Sequence, residues 1–151
     1  MKILLINPRT THAFTGWEDA CRMMGKRFYS SPLAIATVAG LTPPEYTVEL
    51  CDEQVEQIRW DTDADLIGVT GVHVQRRRMV EIAQQFRARG KRVVIGGSSA
   101  SAMPDWYRSA ADVLILGEAE SLWPRFLRDF TAGRWQQEYR ETGQVDLKDS
   151  P

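Results

Sequence analysis

Five short apolar runs, each stopped by glycine, asparagine or aspartate and separated by longer amphipathic stretches, constrain this chain more than anything else in it. Lys2–Ile6 stops at Asn7-Pro8, and Tyr46–Cys51 stops at Asp52. Leu66–Thr70 stops at Gly71, Lys91–Ile95 at Gly96-Gly97, and Val113–Leu116 at Gly117. Runs of this length with helical stretches between them are the pattern of parallel βαβ units, whose strands are buried on both faces. The intervening stretches read as helices. Val74–Arg89 puts Met79, Ile82, Ala83 and Phe86 on one face, with Gly90 as its stop. A last helix runs from a Ser121 cap to Thr131, with Leu122, Phe126, Leu127 and Phe130 facing the sheet and Pro124 in its first turn. Ser31-Pro32 reads as cap and first residue of a helix over Leu33–Leu41, apolar almost all round and so expected to be covered on more than one side. Residues 53–62 make a short crossover and Pro104–Arg108 a helical turn.

Right-handed crossovers then predict a flavodoxin/Rossmann-like, doubly wound α/β fold: a five-stranded parallel sheet in the order 2-1-3-4-5. At 151 residues the chain is long enough to bury such a core without staples. Its two cysteines, Cys21 and Cys51, lack metal-ligand spacing; Cys51 reads as a buried thiol, and Cys21 as a loop residue, free or packed. A net charge of −1 with mixed signs carries no electrostatic footprint for nucleic acid, and the short basic run Arg76-Arg77-Arg78 reads as a solvated helix face. No apolar run reaches the length of a membrane span and Met1-Lys2 leads straight into a strand, so a cytoplasmic location is expected. From Gly133 onward the pattern turns polar and aperiodic, as a linker would.

In such a sheet a ligand sits beyond the carboxyl ends of the strands, beside strand 1. Three of the strand ends there carry glycine, which favours close approach of a large ligand to bare backbone. A dinucleotide site needs Gly-x-Gly-x-x-Gly after strand 1, where this chain has Asn7-Pro8-Arg9-Thr10-Thr11. A phosphorylated receiver needs clustered carboxylates, and the strands end instead in Asn7 and Thr70. The hydroxyls of Thr10, Thr11 and Thr15 keep a flavin-binding module open, and a ligand-free interaction domain is the other alternative. His12 and His73 have no triad-like partners, and Glu120 reads as a helix cap with Glu118 beside it.

The strand-end segments, taken in order, resemble the N-terminal cobalamin-binding domain of cobalamin-dependent radical SAM enzymes. The resemblance rests on Ile6-Asn7-Pro8, Ser31-Pro32-Leu33-Ala34-Ile35-Ala36-Thr37, Cys51-Asp52-Glu53 and 64–70. It continues through Val94-Ile95-Gly96-Gly97, 111–120 and Trp123-Pro124. Gly71-Val72-His73-Val74-Gln75 and residues 21–26 are similar to the branch that includes the hopanoid methylases. Ser98 stands where the family usually has proline, as does Ser31.

The resemblance implies a base-off cobalamin whose dimethylbenzimidazole tail slides into the domain beside the sheet. Gly96 and Gly97 would lie against the tail, with hydroxyls from Ser98 and Ser99 on the phosphate side. Thr70 and Gly71 would border the slot from strand 3, and Gly117, Glu118 and Ala119 from strand 5. Pro8, Arg9, Val72, His73 and Gln75 would lie near the corrin. The Asp-x-His-x-x-Gly motif that supplies a cobalt-ligating histidine is absent, so neither His12 nor His73 is expected to bind the metal. The chain also lacks Cys-x-x-x-Cys-x-x-Cys, so the parent's 4Fe-4S cluster and S-adenosylmethionine would belong to a barrel elsewhere. Residues 1–132 are thus expected to be the cobalamin-binding domain and 133–151 the start of a linker to a radical SAM barrel, the domain's partner. No catalytic machinery is expected in this chain by itself; its parent would be a methyltransferase.

Overall fold

A computed structural model describes residues 1–10, 21–26, 32–143, 145–148 and 150–151. Its centre is a wholly parallel sheet of β1 (Lys2–Asn7), β2 (Thr47–Asp52), β3 (Leu66–Thr70), β4 (Arg92–Gly96), β5 (Val113–Leu116) and β6 (Glu138–Arg140). The order is β2-β1-β3-β4-β5-β6, which is the expected 2-1-3-4-5 arrangement with a sixth strand added beside β5. The helices are α1 (Leu33–Gly40), α2 (Arg76–Ala88), α3 (Ser98–Ala102) and α4 (Ala119–Thr131).

Alternation along the strands divides the core in two. Leu4, Ile6, Ile67, Val69, Val93, Ile95, Leu114 and Leu116 meet α2, the 58–64 crossover and Tyr107 on one face. Ile3, Leu5, Leu66, Val94, Val113 and Ile115 meet α1 and α4 on the other. Helix α2 buries the four residues its spacing singles out, Met79, Ile82, Ala83 and Phe86, and Gly90 follows it with φ 75°. Cys51 is buried, and desolvation first, then the carboxylates of Glu56, Glu53 and Asp52, push its thiol up to about 12. Cys21 is packed as well, in a helical turn over 21–23.

Several expectations change. The polar stretch after Gly133 is not merely a linker: Glu138–Arg140 forms β6, and Tyr139 is 2% exposed. Its ring meets Phe126 edge-on at 5.6 Å, and its hydroxyl donates to Asp129 Oδ2 at 3.1 Å. Helix α4 begins at Ala119, with Glu118 rather than Ser121 at the cap position. Pro124 therefore lies in the second turn, where it removes a helical donor. Helix α1 buries only Ile35, with Leu33 72% exposed, because no further layer covers its outer side among the described residues. Ser31 and the loop residues 11–20 fall outside the described residues.

One side chain ties the ligand end together. Gln75 is 4% exposed and its Oε1 accepts from the Val72 N–H at 2.8 Å. Its Nε2 donates to Asn7 Oδ1 at 3.3 Å and to the Pro8 carbonyl. Asn7 in turn donates to Asp52 Oδ1 at 2.9 Å, so the ends of β1, β2 and β3 share one network.

Three outcomes follow from this packing. Tyr139→Ala removes a buried aromatic from the α4–β6 contact and should cost about 3–5 kcal/mol in denaturant unfolding, as expected of a core position and not of a linker. Gln75→Leu keeps the volume but leaves the Val72 donor and the Pro8 and Asn7 acceptors unpaired, a loss of about 1–3 kcal/mol by the same measurement. Because the Cys51 pKa is raised on folding, its stabilising effect is complete below the unfolded value near 9.0 and is lost as pH rises towards 12. Cys51→Ala should therefore flatten the fall in thermal midpoint over that alkaline window.

Candidate functional site

Where the strands end, α1 and α4 stand apart on the same sheet face, and the gap between them is a cavity of about 910 Å³. Its floor is the sheet itself: Leu5, Gly68, Val94, Gly96 and Ile115. Pro32, Leu33, Ile35, Thr37 and Val38 wall it from α1, and Ala119, Glu120 and Trp123 from α4. The mouth carries Thr70, Gly71, Val72 and Gln75 from the β3 end, Gly97 and Ser98 from the β4 end, and Gly117 and Glu118 from the β5 end. The depth of the slot is apolar and its polar groups gather at the opening, the arrangement that suits a flat ring with a polar appendage. Its size falls in the range of about 300–1,000 Å³ usual for small-molecule and cofactor sites.

Ten of the fourteen residues singled out from the sequence line this cavity; Pro8, Arg9, His73 and Ser99 do not. Pro8 is buried with its carbonyl on Gln75. The exposed Arg9 donates its N–H to Glu53 Oε2 at 3.0 Å. Glu53 is also gripped by Arg78 in a fork, at 3.1 Å and 3.0 Å from Nε, and that carboxylate holds the Arg78 guanidinium pKa above its usual value. The loops after β1 and β2 are thereby pinned to the start of α2. His73 shares its Nε2 with Arg76 Nη1 at 2.9 Å on the exposed side, and His12 lies outside the described residues. Ser99 turns away from the cavity: it is 2% exposed, and its Oγ lies 2.5 Å from the Tyr107 hydroxyl on the opposite face of the sheet. Ser101 stands at the cavity wall instead, its hydroxyl donating to the Gly97 carbonyl at 3.1 Å and accepting from the Gly117 N–H at 3.0 Å. Glu120 does not cap α4; its Oε1 accepts from the Ser150 hydroxyl at 2.6 Å.

The glycines divide into two kinds. A Cβ on Gly97, whose φ is 89°, would collide with Thr70 Oγ1, and one on Gly71 would lie 2.7 Å from Gln75 Oε1. A Cβ on Gly117, at φ 131°, would lie 2.5 Å from Glu141 Cβ. These three serve close approaches within the protein, not room for a ligand. Gly96 differs: a Cβ there would touch only Ile115, at 3.5–3.6 Å, so the space above it belongs to the cavity. Gly68 also lines the floor, from β3, but an added Cβ there would lie 2.6 Å from Leu5 Cδ2, so it too serves a close approach within the protein, one that the sequence reading passed over. An isolated glycine inside an apolar strand was the available signal.

Similarity to known proteins bears on what this slot holds. The profile of the B12 binding domain family matches residues 28–127. Over 120 residues the chain is 38% identical to the bacteriochlorophyllide d C-8(2)-methyltransferase of Chlorobaculum tepidum, covering 79% of this chain and 25% of that protein. It is 34% identical over 155 residues to an uncharacterised methyltransferase of Synechocystis sp., covering 100% of this chain and 29% of the relative. To the hopanoid C-2 methylase of Rhodopseudomonas palustris it is 28% identical over 153 residues, covering 97% and 29%. The chain thus spans about 25–29% of the length of these relatives. No solved structure matches it. The family profile covers more than half of the chain, and the slot it frames lies at the ligand end of the sheet: the chain belongs to the B12 binding domain family.

Proposed function

We propose that the slot between α1 and α4 takes the dimethylbenzimidazole tail of a base-off cobalamin, and that the chain is the cobalamin-holding module of a radical SAM methyltransferase. The observation that carries the first part is the bare backbone of Gly96 on the cavity floor, where an added Cβ would meet only Ile115, which leaves an apolar gap against the sheet. An aromatic ring fits that gap on shape and polarity, with Leu5, Val94 and Ile115 beneath it and Trp123 at its side. The mouth fits the rest of the tail. The Thr70 hydroxyl and the Ser98 side chain stand where ribose and phosphate would pass, and the Glu118 carboxylate can accept from a hydroxyl or amide N–H. Val72, 52% exposed, and Leu33 offer apolar contact to a macrocycle resting on the strand ends.

When bound, the cofactor supplies a methyl group carried on cobalt. This chain's residues bind and orient it. His73 is paired with Arg76 on the exposed side, in keeping with a cofactor that takes no imidazole ligand from it. The parent activity is supported by the relatives, which are named as methyltransferases or a methylase, and by the sequence resemblance to cobalamin-dependent radical SAM enzymes. The chemistry on S-adenosylmethionine, with its 4Fe-4S cluster, would reside in the remainder of such a protein.

Gly96→Leu should fill the slot and weaken cobalamin binding by about 10-fold or more, in keeping with overpacking costs of about 1–3 kcal/mol. The comparison is Gln84→Ala, an exposed position on α2 across the sheet; equal affinities would mean that the tail does not lie over Gly96. Reconstituted with hydroxocobalamin and reduced to cobalt(II), the protein should show an electron paramagnetic resonance spectrum without axial nitrogen splitting. Splitting that vanishes in His73→Ala or His12→Ala would replace this reading with a histidine-ligated one. Retention of FMN in preference to cobalamin would replace it with a flavin module.

A further inference from the structure

The cavity offers hydrogen bonds at its opening and almost none further in. Below the strand ends its floor and walls carry Leu5, Ile35, Val38, Val94, Ile115 and Trp123, and Thr37 is the one polar side chain among them. The other groups able to form hydrogen bonds there are already engaged. The Trp123 indole N–H donates to Thr42 Oγ1 at 2.8 Å, and the Thr42 hydroxyl donates in turn to the Val38 carbonyl at 2.7 Å. Leu5, Gly68 and Val94 form one paired row of β1, β3 and β4, so their backbone groups belong to the sheet ladder. Asn7 and Ser101 also line the cavity, but they stand at the strand ends. Asn7 is held by Asp52 and Gln75, and Ser101 by the Gly97 carbonyl and the Gly117 N–H.

Resting on the reading that this cavity receives the cobalamin tail, we infer that the slot selects among corrinoids by the polarity of the lower base, accepting benzimidazoles with an apolar outer edge and rejecting purines. Once detached from cobalt, 5,6-dimethylbenzimidazole presents a single free ring nitrogen and an outer edge made of methyl groups. Adenine, joined to the ribose through one nitrogen, presents several more ring nitrogens and an exocyclic amine. The two ring systems are close in size, so shape alone does not separate them. Pairing does. Each donor or acceptor carried below the strand ends gives up its hydrogen bond to water, and the lone Thr37 hydroxyl cannot replace them all. The methyl edge forfeits no such bond, and its burial against aliphatic side chains is favourable. The slot therefore sets which tail is held, while the polar mouth treats the ribose and phosphate common to both alike.

The test uses the whole chain and four corrinoids that share one macrocycle. They are cobalamin, its adenine-tailed and 5-hydroxybenzimidazole-tailed counterparts, and cobinamide, which has no base. Affinities are measured by isothermal titration in one cobalt oxidation state. Each is corrected for the ligand's own base-on equilibrium, read from its absorption spectrum in free solution. Cobalamin should bind about 10-fold or more tightly than the adenine-tailed form. It should bind several-fold more tightly than the 5-hydroxybenzimidazole-tailed form, which keeps the ring and changes only its outer edge. In Gly96→Leu, which fills the slot, the three tailed ligands should converge on the cobinamide value. Equal binding of the cobalamin and adenine-tailed forms, both tighter than cobinamide, would overturn the selectivity and leave the tail in the slot. A cobalamin preference that persists in Gly96→Leu would also overturn it, since the discrimination would then arise elsewhere. If cobalamin binds no better than cobinamide, or not at all, the cofactor reading fails first and the selectivity fails with it.

Discussion

A parallel sheet in the middle of a domain needs both faces covered, and here one face is left partly bare at its ligand end. Side chains alternate along every strand, and beyond the row of Leu5, Gly68 and Val94 the next row on this face, with Thr70 and Gly96, would ordinarily fill with more apolar bulk and seal against α1 and α4. Glycine at 96 withholds that bulk at the end of β4, in register with Thr70 of β3. The open floor of the slot depends on this omission. The cost is uncovered apolar surface around Leu33 and Val72 that a ligand or neighbouring domain would have to cover.

The surrounding polar contacts keep that bare floor from collapsing. Gln75 spends every hydrogen-bonding group it has on the ends of β1 and β3, and the Arg78–Glu53 fork fixes the loops beyond β1 and β2. The corner opposite is kept shut by the Ser99–Tyr107 contact beneath α3. At the base, Trp123 donates its indole N–H to Thr42 Oγ1 at 2.8 Å, which keeps the indole upright as a wall. Rigid loops around a preformed slot spare a ligand the entropy of ordering them.

The strands, the strand order and helix α2 were legible because period and stop signals coincide there: Met79, Ile82, Ala83 and Phe86 cannot face the same way except on a helix. Strand β6 was not legible. Glu138-Tyr139-Arg140 is three residues with one apolar side chain, and only the presence of Phe126 and β5 makes it a strand. At the site, strand-end glycines pointed to the end of the sheet where the cavity lies, though most of them serve contacts within the protein. Gly97 and Gly117 answer to Thr70 and Glu141, contacts between distant parts of the chain that no local pattern encodes, and Gly71 answers to Gln75 four residues on. Ser99 misled for a similar reason, since the turn of α3 decides which of two adjacent hydroxyls meets the cavity.

The sixth strand also changes what the outer rims of the sheet can do. Strand β6 is only three residues long, and its Glu138 accepts from both Arg108, at 2.6 Å, and Arg140, at 3.0 Å. At the other rim, Glu49 of β2 is paired with Lys2 at 2.9 Å and Arg59 at 2.8 Å. A three-residue rim on one side and paired charges on both make poor templates for an incoming strand. Sheet extension by a second polypeptide is thereby discouraged on both sides, which directs any association to the loops at the carboxyl ends and to the outer surface of α1.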